Sequence, residues 1–349
     1  MASMRCASRR PSGGAGALLR DLAVDLGSAS TQVYVRGEGI VVDEPTVLAL
    51  RPRSNELLAV GARAIELAAS DERVQLVRPV QRGAVADSAA AQRILHHLLR
   101  PYSGGLMDRA RVLVAVPSST TRAERRAVRD AAKRAGASSV HLIEHVMAAA
   151  LGADLPVHEP VGTMVVDVGA EVTEAAVLSL GCVVAGASAP VGGATIDGAI
   201  KQYLRRDYGM LVSDRTAEGV KRMAGSLRSE ADGVIEARGT LVLEPGAVTA
   251  ILERSEVQPA LDDVIDAASS VVRECLVQAA PELGQDLISR GVHLVGGGSR
   301  LGGLVERLDA EYAIPFRVMD DPEHAVIRGA GKCLEAVDSL RRLFVGEKD

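Results

Sequence analysis

Asp25 and Asp167 each stand where an apolar, β-prone run gives way to a turn of small residues. The first stretch, Leu22 to Val35, reads Leu-Ala-Val-Asp-Leu-Gly-Ser-Ala-Ser-Thr-Gln-Val-Tyr-Val. The second, Met164 to Val177, reads Met-Val-Val-Asp-Val-Gly-Ala-Glu-Val-Thr-Glu-Ala-Ala-Val. In both, the aspartate is followed by a hydrophobe and then a glycine, Gly27 or Gly169. A carboxylate at the mouth of such a turn suits a magnesium ion held through water, the ion that accompanies a polyphosphate. Gly27, Ser28, Ala29 and Ser30 let the backbone approach a ligand and offer N–H donors to an anion. Gly169, Ala170 and Glu171 hold the corresponding places in the second turn. Taken singly, the first stretch is equally an ordinary hairpin with a polar turn.

The elements that must position these residues are strands. Leu22, Val24 and Leu26, then Val33 and Val35, alternate as a hairpin with one buried side. The second stretch repeats the design, which suggests two like-folded halves closing on one phosphate chain. Val292 to Ser299, Val-His-Leu-Val-Gly-Gly-Gly-Ser, is a strand running into Gly296, Gly297 and Gly298. Bare backbone of that kind can pack against a flat ligand.

This set, in this order, resembles the actin-like ATPase superfamily, and within it the MreB and Mbl proteins. The likeness runs from about Asp21 to the C-terminus. It is carried by the two hairpins, Gly37–Pro45, Arg78–Asp87, Gly136–Glu144, Gly296–Gly298 and Arg328–Lys332. The resemblance implies an α/β, actin-like (ribonuclease H-like) two-domain ATPase fold. Each half would be a mixed sheet with helices on both faces, with a nucleotide cleft between. It implies ATP or ADP with Mg2+ as cofactor, Asp25 and Asp167 facing the metal through water. Glu218 and Lys221 fall where the family holds ribose and adenine.

Composition is consistent with such a fold. The chain has 349 residues, enough for two cores, and 47% of them are apolar, with no tryptophan and few aromatics. Its cores must be built from Ala, Val and Leu. No apolar run reaches the roughly 18 residues needed to span a bilayer, so a soluble chain is expected. The net charge of −5 gives no general pull toward nucleic acid. Cys6, Cys182, Cys275 and Cys333 lack ligand-type spacing and read as core thiols in a reducing compartment.

In chain order, residues 1–20 form a flexible basic tail without a signal-peptide h-region. Residues 21–153 with about 325–349 form domain I, whose small outer subdomain spans about 40–86. Residues 154–324 form domain II, with a trimmed outer subdomain at about 225–245. Ile40 to Leu50 reads as one strand with Pro45 pinning an edge. Asp87 caps a helix whose stripe is Ala91, Ile94, Leu95, Leu98 and Leu99, leaving His96 and His97 at the surface. Arg122 to Ala135 is a basic helix with a solvated or inter-subunit face. Further helices are expected from Ile196, from a cap at Thr216, from Pro259 and from about His324, with a short hairpin at 225–245. In the family the loop matching Ser103–Asp108 helps insert into the membrane. Leu106 and Met107 would supply about 3 to 5 kcal/mol if fully buried, useful only when multiplied along a polymer.

The chain departs from the family pattern at the chemistry. The family's Asp-Ile-Gly-Gly-Gly-Thr-Thr-Glu becomes Asp167-Val-Gly-Ala-Glu-Val-Thr-Glu174. A Cβ at Ala170 and Glu171 restricts positive φ and close approach. Glu171 also directs a negative charge toward a polyphosphate. At about 5 Å and an effective dielectric near 20, each opposing charge costs on the order of 3 kcal/mol. Val172 replaces a hydroxyl that helps orient the attacking water. The family's catalytic glutamate is replaced by His145, a histidine able to act as a base near neutral pH. Glu144 is the adjacent acid, but one helical step turns it roughly 100° away.

The reading that follows is a bacterial cytoskeletal protein whose cleft binds nucleotide with slow or absent hydrolysis. Its partners would be further copies of itself or another MreB-type chain, the inner face of the cytoplasmic membrane and wall-synthesis proteins, with no nucleic acid. It would be cytoplasmic and peripheral at that membrane. A non-polymerising pseudo-ATPase scaffold, or a small-molecule kinase or phosphatase on the same fold, are the alternatives.

Overall fold

A computed structural model of the chain describes residues 21–102, 110–226, 233–242, 246–336 and 340–345. The basic tail, Cys6, Leu106 and Met107 lie outside the described residues.

The first hairpin is β1 (Asp21–Leu26) and β2 (Ser30–Val35), followed by β3 (Gly39–Pro45). Outside it lie β4 (Leu48–Arg51), β5 (Glu56–Val60), α1 (Ala62–Ser70) and β6 (Gln75–Val77). A tight hairpin, β7 (Val80–Gln81) and β8 (Ala84–Val85), leads back inward. Then come α2 (Ser88–Leu99), β9 (Arg111–Val116), α3 (Arg122–Arg134), β10 (Ser139–Glu144) and α4 (His145–Gly152). The second half opens with β11 (Thr163–Val168), β12 (Thr173–Ser179), β13 (Cys182–Ala189) and α5 (Gly193–Asp207). Next are β14 (Met210–Leu211), α6 (Asp214–Ser226), β15 (Val234–Leu241), β16 (Ala247–Glu253) and α7 (Arg254–Gln278). It closes with α8 (Pro281–Arg290), β17 (Val292–Val295), α9 (Leu304–Glu311), β18 (Phe316–Val318) and α10 (Ala325–Glu335).

The two main sheets have the same topology. One runs β3-β2-β1-β9-β10 and the other β13-β12-β11-β17-β18. In each, the first two pairings are antiparallel and the last two parallel. The aspartate-bearing strand is therefore the middle strand both times. It is covered on both faces, which is why β1 and β11 read as nearly continuous apolar runs. Asp25 and Asp167 sit near the carboxyl ends of those strands, the end at which open α/β sheets bind ligands.

Three large apolar cores follow from this layering, beside a small one of Val47, Ala49 and Ala64 under the outer sheet. One lies within the first half, around Leu22, Ile94, Leu95 and Val114, and one within the second, around Met164, Ile196, Leu261 and Val272. The third joins the halves through α4 and α10, with Ala23, Leu113, Val165 and Leu178 from the two sheets. These helices cross at backbone contact. A Cβ on Gly152 would stand 1.9 Å from the carbonyl oxygen of Ala325, and one on Gly329 would stand 1.7 Å from that of Ala148. The contact is reciprocal, each helix placing an alanine and, four residues on, a glycine against the other.

Several boundaries differ from the sequence expectation. Ile40 to Leu50 is two strands, because Thr46 and Val47 turn the chain out of the first sheet into the outer one, β5-β4-β6. α5 begins at Gly193, where its first amides bond to carbonyls of the second turn. α6 begins at Asp214, and Ser213 rather than Thr216 caps it, its hydroxyl accepting from the Thr216 amide at 3.1 Å. The outer hairpin of the second half is Val234–Glu253, not 225–245, since α6 runs on to Ser226. α7 starts at Arg254 and takes Pro259 into its interior, the Glu256 carboxylate accepting from the Glu253 amide to set its start. Cys182 is exposed, on the edge strand β13, whereas Cys275 and Cys333 are buried.

The crossing of α4 and α10 yields a test. Gly152→Ala or Gly329→Ala forces the helices apart and should lower unfolding free energy by about 2 to 4 kcal/mol in urea denaturation. Gly284→Ala, where a Cβ meets nothing within 4 Å, should leave it nearly unchanged.

Candidate functional site

Both turns close in the same way. Gly27 donates its amide to the Ser30 carbonyl at 3.0 Å, and Gly169 donates to the Val172 carbonyl at 2.9 Å. A Cβ would stand 2.9 Å from that oxygen in the first turn and 2.8 Å in the second, so the turn's closure excludes a side chain at either glycine. Ala170 and Glu171 are not among the residues with positive φ. The second turn therefore accepts their Cβ atoms without strain, contrary to the expectation from the lost glycines.

Glu171 reaches across to the first half, where its carboxylate accepts the backbone N–H of Arg82. Arg82 (φ 50°) and Gly83 (φ 73°) form the two-residue tip of the β7–β8 hairpin, and paired left-handed residues suit such a tip. The same tip touches the first turn, the Gly83 amide donating to Ser28 Oγ at 3.3 Å. A Cβ on Gly83 would lie 2.9 Å from Pro117 Cγ and 3.0 Å from Val172 Cγ2. One small hairpin thus seals against both turns.

Beneath it four titratable side chains meet. His145 is the first residue of α4, directly after β10. Its Nε2 lies 3.4 Å from Asp25 Oδ1 and its Nδ1 lies 3.7 Å from Glu174 Oε2. Those are ion-pair separations, and neither Asp25 Oδ1 nor His145 Nε2 makes a hydrogen bond. Glu174 is opposite Asp167 in the β11–β12 register, and its Oε1 accepts the Ser118 amide at 2.7 Å. Burial pushes the imidazole toward neutrality, but the carboxylates of Asp25, Glu174 and Asp167 outweigh it and hold the pKa near about 9. Burial raises Asp167 to about 6, the His145 charge opposing it and Asp25 adding to it. Burial likewise raises Glu174 to about 7 against the pull of His145. At neutral pH the cluster holds an imidazolium, with Glu174 about half protonated beside it.

This arrangement bears on the implied magnesium. Mg2+ prefers oxygen ligands in octahedral geometry and keeps several waters. Here a protonated imidazole already supplies positive charge beside Asp25. Among the described residues no group of three or more His, Cys, Asp or Glu side chains is arranged to hold a metal. The residues suit an internal cation better than a magnesium ion coordinated directly by the protein.

The remaining candidates surround the second turn. Lys221 on α6 donates to Asp197 Oδ2 at 2.9 Å and to the Gly193 carbonyl at 3.2 Å. The amides of Gly193 and Ala194 bond in turn to the carbonyls of Gly169 and Ala170. Glu218 instead pairs along its helix with Arg222, half exposed. The glycines after β17 serve the protein's own packing: a Cβ on Gly296 would lie 2.3 Å from Asp167 Oδ1, and one on Gly298 2.4 Å from Val168 Cγ1. Only Gly297 has its bare face loosely covered, by Glu323. Glu144 is the cap residue at the end of β10 rather than a helical neighbour of His145, and it faces Arg125 at 3.4 Å. Burial raises its pKa, opposed by Arg125.

Sequence reasoning passed over Glu174, Ser118, Asp197 and the Arg82–Gly83 tip as site residues. An acid set opposite Asp167 in a strand otherwise apolar and small was the available signal for Glu174. Flanking valines at 80 and 85 marked the hairpin.

The family model described as MreB/Mbl protein matches residues 19–342. Cell shape-determining protein MreB of Escherichia coli K12 is 42% identical over 334 residues, covering 93% of this chain and 95% of that protein. Cell shape-determining protein Mbl of Bacillus subtilis is 33% identical over 324 residues, covering 92% and 97%. Among solved structures, MreB5 of Spiroplasma citri bound to ADP superposes with a TM-score of 0.85 at 28% identity, covering 94% of this chain and 99% of that one. The MamK double helical filament gives 0.76 at 19% identity, covering 91% and 99%, a likeness of fold.

The charge cluster makes stability depend on pH. Because the folded-state pKa of His145 is raised, its contribution is complete below pH 6.5 and is lost as pH rises through about 9. Asp167 and Glu174 are also raised, so burying them is easiest at low pH, and stability falls as pH climbs through about 6 and about 7. Urea midpoints of the wild type should therefore fall between pH 6.5 and 9, by an amount worth a few kcal/mol. In His145→Gln the histidine's part of that fall is gone and the carboxylates lose the charge that lowers them, so the midpoint should be lower throughout and its fall should follow Asp167 and Glu174 to higher pH.

Proposed function

Because the chain belongs to the MreB/Mbl family, we propose that it is an actin-like cytoskeletal protein that assembles head to tail into filaments and guides cell shape. The fold is actin-like, with two equivalent sheets facing one another across a cleft. The observation that supports the reading best is the pair of matching aspartate-led hairpins converging on His145. Heterologous repetition of one chain gives open polymers of this kind. The relatives named for determining cell shape lend weight to this reading, and co-assembly with a second MreB-type chain belongs to the same proposal.

The cleft is read as a nucleotide site, as the ADP and AMPPNP in the Spiroplasma MreB5 structures suggest by analogy. The turns at 27–30 and 169–171 would face the phosphates, with Lys221, Glu218 and Gly297 toward the nucleoside. Magnesium arriving with the nucleotide would be held through water by Asp25 and Asp167. Bound nucleotide would bias the angle between domain I, residues 21–153 with 325–349, and domain II, residues 154–324.

Hydrolysis is expected to be slow or absent. His145 stands in place of the family's glutamate, and its ion pairs leave no basic lone pair for an attacking water near neutral pH. Val172 lies against Gly83 instead of offering a hydroxyl. No helix among the described residues is long and apolar enough to cross a membrane. Attachment beneath the cytoplasmic membrane would rest on Leu106, Met107 and the basic tail, with wall-synthesis proteins as clients.

A second reading, a non-polymerising scaffold of the same fold, draws on the contacts that already join the halves. Besides the Glu171 and Glu174 contacts, Arg78 pairs with Asp214 at 3.2 Å. Pelleting with and without ATP, run beside phosphate release, separates the readings. The expected outcome is sedimenting polymer with phosphate release at background. No pellet under any nucleotide would favour the scaffold, and rapid release or transfer to a small molecule would defeat the account of the site. The triple change Glu171→Gly, His145→Glu and Val172→Thr should raise phosphate release by about a hundredfold or more.

A further inference from the structure

We propose that the cleft selects nucleoside diphosphates over triphosphates, and that Glu171 is the residue that sets this preference. The proposal rests on the nucleotide reading above and names the ligand class within it.

The second turn carries its own anion. Glu171 lies in the turn that mirrors the Ser28–Ser30 turn, and its carboxylate is fastened to the Arg82 N–H on the opposite wall. The donor is a backbone group at the two-residue tip of a hairpin, so it cannot turn away as a flexible side chain could. Beside it, Val172 Cγ2 lies against Gly83, and the Gly83 amide is also bonded to Ser28. A phosphate chain lying along both turns therefore meets a carboxylate and a methyl group at the second one. The added phosphoryl group of a triphosphate would bring further negative charge to a place already held by an anion.

The rest of the neighbourhood sharpens the effect. Asp25, Asp167 and Glu174 are the charged groups below, and His145 is the cation set among them. That cation is engaged by Asp25 and Glu174, so it is not available to neutralise another phosphoryl group. Lys221 is likewise occupied by Asp197 and the Gly193 carbonyl. A shorter phosphate chain can use the first turn, where Gly27 keeps the backbone bare and no acid follows Asp25 until Glu38.

The experiment is calorimetric titration of the purified full chain with ADP and with AMPPNP, each with and without magnesium. The wild type should bind ADP about tenfold tighter than AMPPNP or more, a gap of about 1.4 kcal/mol. Glu171→Gly should bring the two affinities within about threefold of each other, mainly by strengthening AMPPNP. Glu171→Gln keeps the side chain's size and removes its charge, so it should close most of the gap if charge is the cause. It also covers the case in which the glycine variant fails to fold, judged from thermal melting. Equal affinities in the wild type, or a gap untouched by either variant, would overturn the proposal while leaving nucleotide binding in place. No binding of either nucleotide would overturn both.

Discussion

The structure depends on an imidazolium set among buried carboxylates. Asp25 comes from the first half and Asp167 and Glu174 from the second, and His145 at the head of α4 lies between them. Three carboxylates converging out of water would repel one another and lose hydration, a cost that only a nearby positive charge offsets. Removing one partner from such a buried set costs about 3 to 5 kcal/mol, because the charge left behind is unpaired. His145 therefore ties the halves together.

Other features line up with that constraint. Two sheets of identical order bring the ends of β1 and β11 to face each other, so a charge on one half is felt by the other. The α4–α10 crossing through Gly152 and Gly329 fixes the hinge side of the molecule at backbone contact. The β7–β8 tip closes the opposite side through the Arg82 amide, Gly83 and Ser28. Glu171, which in isolation looks like an obstacle to a ligand, is in place a strut between the two walls.

Much of this was legible in the residue order. The paired hairpins, the central placement of apolar strands and the α2 stripe from Ala91 to Leu99 follow from period and turn chemistry, and the structure has them. The capping role of Asp87 is present as expected, its carboxylate accepting from the amides of Ala89 and Ala90. Helix starts were less legible at Arg254 and Asp214, since proline and threonine draw the eye to positions one turn too late. The site was half legible. Substitutions at 145, 171 and 172 marked where the chemistry departs, but not what the new side chains do. Glu171 joining Arg82 and His145 joining Asp25 to Glu174 are contacts between residues far apart in the chain. They depend on how the halves are docked, which no local pattern records. Glycines 296 to 298 show the converse: their spacing pointed to a ligand, while two of their three bare faces are turned to β11.

The central claim is that the chain's own charges hold the cleft shut. Spin labels placed on the exposed faces of α1 and α6, one on each half, would report the distance between them by pulsed dipolar spectroscopy. The account predicts one narrow distance in nucleotide-free protein, displaced but no narrower with ADP, and a broad distribution in His145→Gln. A broad distribution in the nucleotide-free wild type that narrows only when nucleotide is added would contradict it.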